Sequence, residues 1–116
     1  MITDVIDGLL SQLDDVPYYY LGAEFAEGQE DGLCVIYSFY DIPGIFGDGE
    51  EKTTDYRITF KIYGTSFAQV YALQDELAGI LKNAGFIRHG TTYSGDDDFP
   101  QYYVHIMDYS YIERSE

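Results

Sequence analysis

The sequence is short of basic side chains. Of its 116 residues only six are lysine or arginine, against 21 aspartates and glutamates, so the formal net charge is −15. Proteins that bind DNA or RNA neutralise phosphates with clustered lysines and arginines, and this sequence has no such cluster. The same charge opposes contact with an anionic membrane surface. We therefore expect no tight nucleic-acid binding and no membrane association.

Long apolar runs and cysteine pairs are also lacking. No stretch of the sequence approaches the roughly 18 apolar residues of a membrane-spanning helix. The beginning, MITDVIDGLL, has no basic residue ahead of its apolar ones, so we expect no secretory signal and synthesis in the cytoplasm. The single cysteine, Cys34, cannot form an internal disulfide. Its place in the apolar run LCVIYSFY favours a buried small hydrophobe over a reactive thiol.

Two segments repeat apolar residues at helical steps. Residues 3–13, TDVIDGLLSQL, predict a helix with Thr3 as its N-cap. The second helix begins after Ser66, which forms a capping-box pattern with Gln69, and it ends at Gly85. We assign its apolar stripe to the core; the stripe consists of Phe67, Val70, Tyr71, Gln74, Leu77, Ile80, Leu81 and Ala84.

Five segments are rich in strand-forming residues. They are residues 18–25, residues 33–40, DYRITFKIY, FIRHGTTYS and QYYVHIMDYSYI, and AEGQEDG between the first two is suited to a turn. With a hydrophobic fraction of 46%, the sequence excludes a disordered chain. The order α-β-β-β-α-β-β predicts one α+β domain over residues 1–116, with two helices and a mainly antiparallel sheet of about five strands.

The stretch SGDDDFPQYY, residues 94–103, sets three carboxylates beside aromatic residues. A cation site, an acidic patch for a partner and a plain loop are all conceivable. Glycine, aspartate and proline are turn residues, so the stretch is first of all a connection between the last two strands. Neither this stretch nor FGDGEE, residues 46–51, has the ligand spacing of a calcium loop. Weak adventitious binding of divalent cations stays open, and we expect no cofactor.

Residues for catalysis or metal binding form no recognisable set. Pairing of the last two strands could bring His89 and His105 together, but zinc needs three or four ligands and Cys34 lies elsewhere in the chain. We interpret each histidine as a surface or strand-face residue. The sequence contains no GxSxG, P-loop, HExxH or dinucleotide-binding motif. We therefore expect no enzyme activity.

Two features point to a protein partner. The segment between the second and third strands, DIPGIFGDGEEKTT, is either an arm or a solvated loop, and as an arm it would use Ile45 and Phe46. The last strand has tyrosines on both faces, with Tyr103, Tyr109 and Tyr111 on one of them. Unless helices cover both faces, one face is free for an interface, where tyrosine is enriched. We therefore expect an interface that contains these five residues.

Several segments together resemble the tail-terminator and tail-completion (head-to-tail joining) proteins of long-tailed bacteriophages and prophages. They are YRITFKIYG, FAQVYALQDELAGILKNAGF and the acidic turn that leads to QYYVHIMDYSYIER. The resemblance implies an α+β subunit of a ring, commonly hexameric, that caps the tail tube and docks the head connector. It implies no catalytic residue, and a location in the bacterial host cytoplasm during assembly and in the virion tail thereafter.

The net charge of −15 allows a second interpretation of the function. An acidic ring lumen would repel DNA phosphates and let the duplex slide, but six copies at −15 each would carry −90 and repel one another. Alternatively, the chain is a small acidic inhibitor that mimics DNA in the cleft of a DNA-binding protein. That alternative explains the charge directly, and it explains the tyrosines and the Gly-rich segment less well.

Overall fold

The computed structural model describes residues 2–13, 16–20, 33–43, 52–95 and 102–115. The elements follow the order that the sequence predicts, and the α+β fold is confirmed. Their bounds are α1 Ile2–Leu10, β1 Tyr18–Tyr20, β2 Cys34–Pro43, β3 Lys52–Gly64, α2 Phe67–Asn83, β4 Ile87–Gly95 and β5 Tyr103–Ser115.

The five strands form one sheet in the order β1-β2-β3-β5-β4. The β2–β3, β3–β5 and β4–β5 pairs are antiparallel, as expected, whereas β1 runs parallel to β2. Parallel neighbours need a crossover connection, so β1 and β2 do not form the hairpin that a tight turn would give. The expected turn AEGQEDG and the last five residues of the predicted first strand lie outside the described residues.

Both helices pack on the same face of the sheet, which we call the helix face. They contribute Ile2, Ile6, Leu10, Val70, Leu73, Leu77 and Leu81 to the core, and the strands contribute Val35, Tyr37, Ile58, Phe60, Ile62, Met107 and Tyr109. The opposite face, the open face, has no helix on it among the described elements. It bears a smaller buried cluster of Cys34, Ile36, Tyr63, Tyr102 and Val104.

The helix ends show which capping signals in the sequence were informative. Ser66 caps α2 with its hydroxyl, which accepts a hydrogen bond from the Gln69 amide at 3.4 Å. Gly85 follows the helix with a φ of 91°, and the Phe86 amide bonds back to the Leu81 carbonyl at 3.0 Å. The first bond satisfies an amide and the second a carbonyl that the helix ends leave open. Both predicted ends of α2 are confirmed, whereas Thr3 lies inside α1 and is not its N-cap.

The domain is elongated, with principal-axis extents of 52 × 26 × 22 Å. The length follows from two strands of 13 residues each, β3 and β5, since a strand rises about 3.3 Å per residue. Strands β2 and β3 stay paired as far as Pro43 and Thr54 and form a hairpin. Ile45 and Phe46, in the segment that joins them, lie outside the described residues.

Two glycines with contrasting surroundings allow a matched test of the packing. We expect Gly64→Ala to lower the free energy of unfolding by about 1–3 kcal/mol through overpacking. Its added carbon would lie 2.8 Å from Val70 Cγ2 and 2.9 Å from Leu33 Cδ1. We expect Gly79→Ala, inside α2 with nothing within 4 Å of the added carbon, to raise that free energy by about 0.5–1 kcal/mol. Urea denaturation measures both, and equal stabilities would contradict the packing described here.

Candidate protein interface

The structure corrects two of the three tyrosines expected on the free face of β5. Tyr109 is only 3% exposed and belongs to the core beneath the helices. Tyr111 packs at the margin of the same core, with its ring stacked on Phe86 at a centroid distance of 4.5 Å. The predicted alternation along β5 is right, but the face that carries these two residues is the one that the helices cover. Neither residue is available as a large contact surface.

Tyr103 does lie at the surface, in a group of three aromatic side chains that we call the aromatic cluster. Its members are Phe67, Tyr71 and Tyr103, each about half exposed at 48%, 53% and 48%. The Phe67 ring lies 6.2 Å from that of Tyr71 and meets that of Tyr103 edge-on at 5.8 Å and 81°. Such a preformed aromatic surface binds proteins at low entropic cost, because its rings are already ordered by one another.

The aromatic cluster forms where β3 passes into α2. Gly64, at the end of β3, is the register partner of Tyr103 at the start of β5. Only Thr65 and Ser66 separate Gly64 from Phe67, the first residue of α2. The first turn of the helix therefore begins beside the tyrosine, and Tyr71 follows one turn later on the same side.

The sequence did contain a signal that Phe67 and Tyr71 are exposed. Our predicted core stripe includes both residues and omits Leu73. The buried residues of α2 are Val70, Leu73, Leu77 and Leu81. Successive residues are 100° apart around a helix, so a buried face that includes Leu73 is centred farther from Phe67 and Tyr71 than the predicted stripe was. The prediction that Phe67 and Tyr71 belong to the core is therefore wrong. Including Leu73 in the stripe would have placed both aromatic rings at its edge.

The open face carries a polar group around a shallow hollow of about 210 Å³. Its lining includes Tyr40, Arg57, Thr59, His89 and Asp108. The Thr59 hydroxyl donates to Asp108 across the β3–β5 pair at 2.9 Å. The Arg57 guanidinium pairs with Asp55 at 3.3 Å, and this contact raises the pKa of the arginine. The Thr59–Asp108 contact joins neighbouring strands, whereas Asp55 and Arg57 are two positions apart on β3. Polar and charged pairs of this kind are usual on a solvated sheet face.

One contact near this hollow has the composition of a nucleophile and its base. His89 Nε2 lies 2.8 Å from Ser110 Oγ. A catalytic serine has to reach a substrate, whereas Ser110 is only 5% exposed. The contact instead spans a β-bulge at Arg88 to Gly90, where the register of β4 against β5 shifts. The imidazole therefore ties the irregular edge strand to its neighbour, and a bulge in an edge strand also hinders pairing with another sheet.

The two histidines lie on opposite faces of the sheet. His105 is the register partner of Ile62 on the helix face, whereas His89 contacts Ser110 on the open face. Burial, together with the nearby charge of Arg88, lowers the pKa of His105. The possibility that strand pairing brings the two imidazoles together is therefore wrong.

The described residues contain no group of three or more histidine, cysteine or acidic side chains that could hold a metal ion. The acidic stretches 46–51 and 96–98 lie outside these residues. Cys34 is fully buried, and burial raises the pKa of its thiol to about 12. At neutral pH a thiol with this pKa carries almost no thiolate, the reactive form. The interpretation of Cys34 as a buried small hydrophobe is confirmed.

Searches for relatives of this chain find no match among protein-family models and none among curated proteins. The resemblance to phage tail terminators therefore stays a prediction. In the described part of the chain, no helix is both long enough and apolar enough to cross a bilayer.

Proposed function

We propose that this chain is a structural subunit of a phage or prophage tail, which assembles into a ring that caps the tail tube and docks the head connector. The aromatic cluster is the observation that carries the proposal. Three half-exposed aromatic side chains lie in contact on a protein of net charge −15. Aromatic residues are enriched in protein interfaces, and a small soluble domain has no internal use for such a surface.

The fold is compatible with this role. The resemblance implies helices on a mainly antiparallel sheet, and the structure has two helices on one face of a five-stranded, mostly antiparallel sheet. The elongated shape gives a subunit surfaces that are far apart, as a ring requires when each copy contacts two neighbours. In this proposal the chain assembles in the bacterial cytoplasm and remains in the virion tail.

The proposal predicts that self-association strengthens as salt is added. Each copy carries −15, so neighbours in a ring repel one another, and salt screens that repulsion with a Debye length of about 10 Å at 0.1 M. Light scattering at low and high salt measures the mass of the assembly. We expect a ring-sized species that grows with ionic strength or on addition of tail tubes. A ring that dissociates as salt is raised would contradict the prediction.

A second candidate function, the acidic DNA mimic, is supported by charge and shape. The body is elongated and the chain has a net charge of −15, and a DNA mimic needs an elongated acidic surface, as a duplex has. In that case the protein is a monomer or dimer at every salt concentration. It then displaces DNA from a basic DNA-binding protein, with an affinity that falls steeply with salt. Light scattering at low and high salt, without and with tail tubes, therefore separates the two candidates.

A further inference from the structure

A cleft of about 570 Å³ separates the second half of α2 from the strands β4 and β5. We call it the basic cleft. Its lining includes Ala78, Gly79, Lys82, Phe86, Arg88 and Tyr109, and Asp75 is the one carboxylate among the described residues of the lining. The helical residues among them lie on one side of α2, because they are spaced by three and four positions.

The cleft exists because α2 has small side chains where it passes over the strands. Ala78 offers one methyl group, and at Gly79 an added carbon would meet no atom within 4 Å. Below this gap, Phe86 and Tyr109 form an apolar floor, since they are only 5% and 3% exposed. An apolar floor with a few polar groups around it is the usual composition of a binding site.

The charge of the cleft is opposite to that of the protein. Lys82 and Arg88 are two of the six basic residues of the chain, and with Asp75 they give the described residues of the lining a net charge of +1. Arg88 also interacts with Tyr109. Burial raises the pKa of the Tyr109 hydroxyl, and the charge and hydrogen bond of Arg88 partly offset that rise. Elsewhere on the described surface, the Arg57 guanidinium already has the Asp55 carboxylate as its partner.

We propose that the basic cleft receives acidic side chains from a second copy of this chain. This inference rests on the proposed ring and names a contact within it. Two copies with 21 acidic and six basic residues each repel one another least where carboxylates of one meet cations of the other. The cleft supplies two such cations beside apolar surface, so a carboxylate that enters it meets charges of opposite sign.

The cleft also gives the contact a direction. It lies beside the second half of α2, while Phe67 and Tyr71 of the aromatic cluster lie on its first turns. The two surfaces differ in composition and follow one another along one side of α2, where Tyr71 and Asp75 are one turn apart. Head-to-tail contacts between unlike surfaces generate rings when the rotation closes, whereas one self-complementary patch generates a dimer.

The test compares two variants with the same charge change, Lys82→Glu in the cleft and Lys61→Glu on β3. Both substitutions add −2 to a chain of −15, so the general repulsion between copies rises equally. Lys82 is exposed, and circular dichroism with urea denaturation verifies that the fold of each variant is retained. Light scattering over a dilution series gives the concentration at which half of the protein is assembled. Lys82→Arg keeps the charge and serves as the rescue variant.

We expect the concentration for half-assembly to be at least about tenfold higher for Lys82→Glu than for Lys61→Glu, since like charges at an interface oppose binding strongly. Lys82→Arg should assemble like the wild type. Equal behaviour of the two glutamate variants would overturn the inference and leave the ring itself intact. A wild type that stays monomeric at every salt concentration and binds tail tubes only as single copies would also overturn it, while a tail function survives. A monomer that binds no tail tubes would remove both.

Discussion

Replacing Phe67 and Tyr71 together by alanine is expected to abolish self-association and to leave the fold intact. Both side chains are about half exposed, and alanine preserves the helix. Central aromatic residues of an interface each contribute about 2 kcal/mol or more to binding, so losing two shifts assembly by at least about a thousandfold. Light scattering at a salt concentration where the wild type is a ring measures the loss.

The matched control for this variant is Ile87→Ala. Ile87 is 55% exposed on the edge strand β4 and lies outside the aromatic cluster. The control therefore removes one exposed apolar side chain at another site, where the double substitution removes two. A ring that survives the double substitution, or that is lost equally in the control, would show that the aromatic cluster is not the contact.

Phe60→Ala is expected to lower the free energy of unfolding by about 3–5 kcal/mol, a large part of the stability of a domain of this size. Phe60 is fully buried at the centre of β3 and is the largest of the completely buried side chains described. Its ring meets that of Tyr109 edge-on at 6.1 Å, so the substitution removes an aromatic pair and leaves a cavity.

The same substitution at Phe67 provides the comparison. Phe67→Ala at the surface should change the free energy of unfolding by less than about 1 kcal/mol, because that side chain keeps much of its contact with water in the folded state. Chemical denaturation of both variants measures the contrast. A similar loss at the two positions would mean that the aromatic cluster belongs to the core of the fold and is not a free surface.

The sequence by itself determined the elements and their order, because these depend on neighbours in the chain. Ser66 and Gly85 fix the ends of α2 through a hydroxyl cap and a positive φ, both of which are local. The alternation along β5 is equally local, since successive side chains of a strand point to opposite faces. The burial of Cys34 followed from the apolar run around it.

Only the tertiary structure decided which face of each element is covered. The pattern of β5 cannot tell whether Tyr103, Tyr109 and Tyr111 face the helices, because that depends on where α1 and α2 pack across the whole sheet. The structure buries Tyr109, packs Tyr111 on Phe86, and leaves Tyr103 about half exposed at the start of β5, in contact with Phe67 of α2. The parallel direction of β1 is decided in the same way, by pairing between segments distant in sequence.

For the candidate contact surfaces too, the sequence indicated that they exist and the tertiary structure decided where they lie. The sequence displays the charge of −15 and the tyrosine content, which indicate a protein interface, but it does not show where the contacts lie. Lys82 and Arg88 sit on different elements, and only the packing of α2 over β4 and β5 brings them to one cleft. Local sequence specifies backbone geometry, whereas long-range packing decides which side chains remain at the surface and next to one another.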